Sequence, residues 1–178
     1  LIYNNNAYIN GYAYRTLEDL KIHLKKSNDK LKWITDYSKE LLSTFSNLKK
    51  FENSEAHFAK KLVQLDIPAY IYPFIIRSYK YIGDNEARLN NVFQILEILA
   101  FRTKLINSRA NIQERLNSIL MHFSGDEVKL SFNINKKLND SGYWSNQDAK
   151  TTLNGNMYGN NVLNYLLWNY ENSIQNKG

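Results

Sequence analysis

Leu31, Ile34, Tyr37, Leu41, Phe45 and Leu48 recur every three or four positions with polar residues between them. That is the period of a helix with one apolar face. The same period governs most of the chain. Leu17, Leu20 and Leu24 form a shorter stripe after Thr16 and Asp19, whose spacing resembles a capping box with Asp in place of Glu. Ser27-Asn28-Asp29 either breaks that helix or caps the next one. Asn53-Ser54 is the expected cap of a helix reaching about Leu65. Pro68 suits a first helical turn, and the segment 69–82 is either kinked at Pro73 or begins there. Gly83-Asp84-Asn85 is a tight connection into the strongest pattern of the chain. There Leu89, Val92, Phe93, Leu96, Leu99 and Ala100 make a wide apolar face, continued by Leu105 and Ile106.

Asn107-Ser108 ends that helix, and Asn111 can cap the next, with Ile112, Leu116, Ile119 and Leu120 inside. Residues 126–140 carry two periods. Val128, Leu130, Phe132 and Ile134 alternate as in a strand, whereas Leu130, Ile134 and Leu138 repeat every four as in a helix. A lone strand would have no partner, so helix is the reading taken. Ser145 can cap a short helix over 146–153, and Asn160 can cap a last one reaching about Gln175. Residues 1–14 lack a helical period and are expected to form an irregular arm docked through Tyr8, Tyr12 and Tyr14. The fold class that follows is all-α, a bundle of roughly seven to nine helices over residues 15–178, with Ile67-Pro68 allowing a hinge between two lobes.

Composition sharpens this picture. The 178 residues include 7 Gly and 2 Pro, few enough to favour long helices with short connections. There is no cysteine, which excludes disulfides, thiolate metal sites and thiol nucleophiles and suits the cytoplasm. The opening Leu1-Ile2-Tyr3-Asn4 has neither Met nor the basic-then-apolar order of a signal peptide, so an excised, signal-free piece of a larger protein is expected. No apolar run approaches the length of a membrane span. The net charge of +6 is spread along the chain. It permits contact with nucleic acid by counterion release without demanding it.

Four segments together resemble a known family. They are Tyr158-Gly-Asn-Asn-Val-Leu-Asn-Tyr-Leu-Leu-Trp-Asn-Tyr-Glu171, the proline-initiated run Ile67 to Tyr79, Leu96-Glu97-Ile-Leu-Ala-Phe101-Arg102, and Tyr143-Trp144-Ser145 with Gln147-Asp148 and Leu153. In this order they resemble the helical middle region of the GmrSD-like, modification-dependent (type IV) restriction enzymes, over roughly residues 60–171. In that family the region lies between a ParB-like NTP-using domain and a C-terminal HNH-type nuclease. The resemblance implies a non-catalytic scaffold in a cytoplasmic, prokaryotic defence protein. Its partners would be the flanking domains and the DNA backbone, without a membrane, and it would hold no cofactor or metal of its own. Neither the Asp-Gly-Gln-Gln-Arg stretch of the first domain nor the Glu-His-Ile-x-Pro opening of the nuclease occurs here. The family's catalytic residues therefore map onto no position of this chain.

The residues leave two further readings. Arg115 and His122, seven positions apart, share a helix face. HEPN-type helical ribonucleases use such a pair, His as general acid/base and Arg to steady phosphate charge. The other reading is a stand-alone helical interaction domain. The doublets Lys25-Lys26, Lys49-Lys50, Lys60-Lys61 and Lys136-Lys137 could follow a DNA backbone if they shared one side, or serve solubility if scattered. Arg102 either meets a partner or a phosphate, or covers core with its stem while its head caps helix carbonyls. His23 and His57 read as structural or solvent-facing. Tyr165, Trp168 and Tyr170 spread around the last helix, which is then wrapped on several sides.

Overall fold

The computed structural model describes residues 16–175. The proposed arm over 1–14, with Tyr8, Tyr12 and Tyr14, lies outside them, as do the side chains of Thr16, Leu17 and Asp19. Among the described residues there are nine α-helices, one 3-10 turn and no strand, so the fold is all-α. The helices are α1 (Thr16–Lys26), α2 (Lys30–Glu52), α3 (His57–Gln64), α4 (Tyr72–Ile82), α5 (Glu86–Ile106), α6 (Ile112–His122), α7 (Glu127–Asp140), α8 (Asn146–Leu153) and α9 (Leu163–Gln175). No helix among the described residues is long and apolar enough to cross a membrane.

Local chemistry places the boundaries. Asp29, Asn85, Asn111 and Asp126 each accept a hydrogen bond from the backbone N–H three residues on. Each thereby satisfies one of the donors a helix start leaves open. Ser145 and Asp148 close a full capping box at α8. Pro73 stands in the first turn of α4, where its missing N–H costs nothing, so the helix begins there and is not kinked. The 3-10 turn Ala69–Ile71 leads into it. The expected Asn53-Ser54 cap is corrected: Ala56 is the N-cap of α3, without a side-chain bond, and the Ser54 hydroxyl accepts from the Ala56 N–H instead.

Helix α5 is the axis of the bundle, with α3, α4, α7 and α8 packed on it. Its Leu89, Val92, Phe93, Leu96, Leu99, Ala100 and Leu105 are buried, a face wide enough for neighbours on several sides. Helix α2 pairs with α4, α6 with α7, and α1 rests on α2. One apolar cluster runs from Phe51 to Tyr165. Segment 126–140 is helical because Leu130, Ile134 and Leu138 are the residues that reach this core. Val128 and Phe132, the other half of the strand-like alternation, face water.

The stripe on α2 behaves differently from its pattern. Leu31 is 77% exposed, Ile34 and Phe45 are exposed too, and Tyr37, Leu41 and Leu48 are half-buried; Leu42, beside the stripe, is exposed as well. The buried residues of α2 are Thr44 and Phe51, near its C-terminal end. The apolar period is real, but for the first half of the helix the described neighbours cover it only in part: α1 rests on it, and Trp33, Tyr37 and Leu41 are half-buried.

Candidate functional site

Helices α6 and α7 lie side by side, joined by the turn 123–126. Gly125 adopts φ +94, and a Cβ there would stand 3.0 Å from the Cβ of Tyr81, so this turn needs glycine for both shape and space. Arginines from two other helices hold the turn. Arg77 of α4 donates through Nη1 to the carbonyl of Leu120 and, at 3.1 Å, to that of Met121. Arg88 of α5 donates to the Gly125 carbonyl at 2.7 Å and grips Glu127 through Nε at 3.0 Å and Nη2 at 2.7 Å. Hydrogen bonding from Arg88 drives the Glu127 carboxyl from its ordinary 4.5 down to about 2.

Between the two helices opens a cleft of about 370 Å³. Helix α6 contributes Ser118, Ile119 and His122, and α7 contributes Lys129, Asn133, Lys136, Lys137 and Asp140. His122 is exposed, and its Nδ1–H donates to the Ser118 carbonyl at 2.7 Å, which leaves Nε2 as the free ring nitrogen. Lys129, Lys136 and Lys137 form no ion pair among the described residues. Arg115 is absent from the lining. Its guanidinium lies 5.1 Å from the Tyr143 ring centre and 5.9 Å from that of Trp144, a cation–π arrangement at the end of α7.

A second cleft, of about 550 Å³, lies between the end of α2, the 53–56 connection and the start of α5. Lys49 and Lys50 line it together with Glu55, Asp84 and Glu86, so its charges are mixed. Lys50 Nζ meets Asp84 at 2.7 Å. Tyr79 lines it as well, its hydroxyl pKa pushed up by burial against a hydrogen bond with Ser54 that works the other way.

The lysine doublets thus fall in different surroundings. Lys136 and Lys137 join His122 and Lys129 in the first cleft, and Lys49 and Lys50 line the second. Lys60 pairs with Glu55, and Lys61 stands 5.4 Å over the Phe58 ring. Lys25 and Lys26 are exposed in the last turn of α1. Lys129 escaped the sequence reading because it is not part of a doublet. The signal was helical spacing, since Lys129, Asn133, Lys136 and Lys137 share one side of α7.

Arg102 does not cap helix carbonyls. Its Nη1 is buried without a hydrogen-bond partner among the described residues, and burial lowers its pKa. The Trp144 indole N–H is buried without a partner as well. Tyr165 is buried and donates its hydroxyl proton to Glu97 of α5, which ties α9 to the bundle. Trp168 is half-buried and Tyr170 exposed, so α9 is wrapped on part of its circumference. No group of three or more His, Asp or Glu side chains among the described residues is placed to hold a metal ion. Comparison with protein-family models, curated proteins and solved structures finds no match to this chain.

Proposed function

We propose that this chain is a non-catalytic helical module of a cytoplasmic, modification-dependent DNA restriction protein in a prokaryote, coupling an NTP-using sensor domain to an HNH nuclease. The observation that carries this reading is the distribution of bare apolar surface. Around α5 the core is closed. The outer surface is more open, and Val63, Met121, Val128 and Phe132 expose single apolar side chains on α3, α6 and α7. Helices α1 and α2 expose Ile22, Leu31, Ile34, Leu42 and Phe45, and α9 exposes Leu167, Tyr170 and Ile174. Apolar surface grouped in this way marks contact with other folded elements. A close-packed bundle that carries such surfaces moves as a unit and can pass a change of orientation from one neighbour to another.

The test is direct. The purified chain, supplied with a divalent metal and DNA or with an NTP, is expected to cleave neither. Metal-dependent DNA cleavage or NTP hydrolysis by it overturns the reading. A HEPN-like ribonuclease is the second reading, favoured by the exposed position of His122 in its cleft. It requires RNA cleavage that His122→Ala and Arg115→Ala both abolish.

A further inference from the structure

We propose that the α6–α7 face binds single-stranded nucleic acid, with backbone phosphates along the lysine-lined cleft and bases stacked on Phe132 and Tyr143. The proposal rests on this surface alone and holds whether or not the chain serves a restriction enzyme.

Charge comes first. Lys32, Lys50, Lys60, Lys80 and Lys104 each have a carboxylate partner on the surface. Lys129, Lys136 and Lys137, like several other lysines, have none among the described residues, and these three line the same concave space. Three ammonium groups gathered at one cleft repel one another, and an anion threaded between them relieves that repulsion. Asp140 is the acid in the lining, at the far end of α7. Asn133, Ser118 and His122 add hydrogen-bonding groups between the cations. From Lys129 to Lys136 the helix rises by about 10 Å, the length of about three stacked nucleotides at 3.4 Å each.

The aromatic rings decide which polyanion fits. Phe132 is 65% exposed and lies between Lys129 and Lys136 at helical spacings of three and four. It contributes nothing to the core of α7, which Leu130, Ile134 and Leu138 supply. Tyr143, 45% exposed, stands just beyond the end of α7 with the Arg115 guanidinium against its ring. A row of cations with the exposed Phe132 ring beside it and the partly covered Tyr143 ring beyond the helix end suits a strand whose bases are free to stack. A duplex keeps its bases inside and would leave both rings in water.

The experiment measures fluorescence anisotropy of labelled oligothymidylate, oligouridylate and a DNA duplex of equal length, between about 50 and 200 mM salt. Single strands are expected to bind with strong salt dependence, and the preferred strand identifies the sugar. Replacing Lys129, Lys136 and Lys137 together by Gln is expected to weaken binding at least about tenfold and to flatten the salt slope by about 2, at about 0.7 per phosphate contact. Phe132→Ala is expected to weaken single-strand binding about fivefold or more. The pair Lys25→Gln and Lys26→Gln is expected to leave it unchanged. All of these side chains project from the surface, so circular dichroism and thermal melting should match the parent chain. Absence of binding at low salt, an unchanged triple variant, or equal loss in the Lys25/Lys26 variant overturns the proposal. Tighter binding of the duplex together with indifference to Phe132→Ala overturns the single-strand assignment.

Discussion

Arg88 of α5 holds Glu127 at the start of α7 through two donors, Nε at 3.0 Å and Nη2 at 2.7 Å, and the same Nη2 reaches the Gly125 carbonyl at 2.7 Å. One side chain thus fixes both the turn and the entry of the helix that carries the lysine cleft. The parallel donors match the two carboxylate oxygens, a geometry a lysine could not supply.

This pair should be legible in acid unfolding. Its carboxyl is depressed from an ordinary 4.5 to about 2, first by the hydrogen bonds from Arg88. A depressed acid adds stability that is complete above its unfolded value and declines as the pH falls toward its folded one. The stability difference between the parent chain and Glu127→Gln should be constant above about pH 5 and shrink between pH 4.5 and about 2. Urea titrations across that range check it, and a difference independent of pH would refute it.

Two glycines should respond differently to alanine. Gly125→Ala forces a side chain into φ +94 and brings its Cβ to 3.0 Å from that of Tyr81, with backbone of the same residue close behind. The expected loss is about 1–3 kcal/mol. Gly83 has φ +70 and ψ −143 but nothing within 4 Å of an added Cβ, so Gly83→Ala should lose only the conformational cost, about 1–3 kcal/mol, without the steric clash that Gly125→Ala adds. Chemical denaturation of the two variants compares them.

Leucines of the same pattern should also divide. Leu96 is fully buried in the middle of α5, and Leu96→Ala should cost about 2–5 kcal/mol through lost contacts and the cavity left behind. Leu42, which is 72% exposed on α2, should change stability by no more than about 0.5 kcal/mol when replaced by Ala. Similar losses at both positions would mean that the exposed face of α2 is covered in solution.

Tyr165→Phe removes the hydroxyl that donates to Glu97 and should cost about 1.5–3 kcal/mol, as bonds to charged groups do. Burial, followed by the interaction with Glu97, raises the Tyr165 pKa. A raised group contributes stability that is complete below its unfolded value of 10.0 and falls as the pH climbs past it. The gap between parent and variant should therefore narrow in alkali, which thermal melts at pH 8 to 11 measure.

Much of the fold was visible in the chain before any coordinates. Asn111 and Ser145 begin helices where their side chains allow, because capping is a contact between residues three apart. Asn53-Ser54 misled for the same reason, since two capping-type residues stood in a row and the helix started after Ala56. The candidate cleft was half legible. Lys136 and Lys137 stood out as a doublet and Lys129 follows from helical spacing, while the cleft they share exists only when α6 is laid beside α7. Arg115 and His122 share a helix face, yet one lies on aromatic rings and the other lines the cleft.

Helix type, helix limits and the choice of residues for an interior are local matters. They follow from spacing, caps and breakers, and the order of side chains along this chain was enough to locate them. Whether an apolar stripe meets a neighbour is not local. The faces of α2 and α5 carry the same period, but α5 is enclosed while much of the first half of α2, Leu31 and Ile34 included, faces water. The period records which way a side chain points around its own axis. Burial and the gathering of charges depend on which other helix arrives there, and that is settled by contacts between residues tens of positions apart.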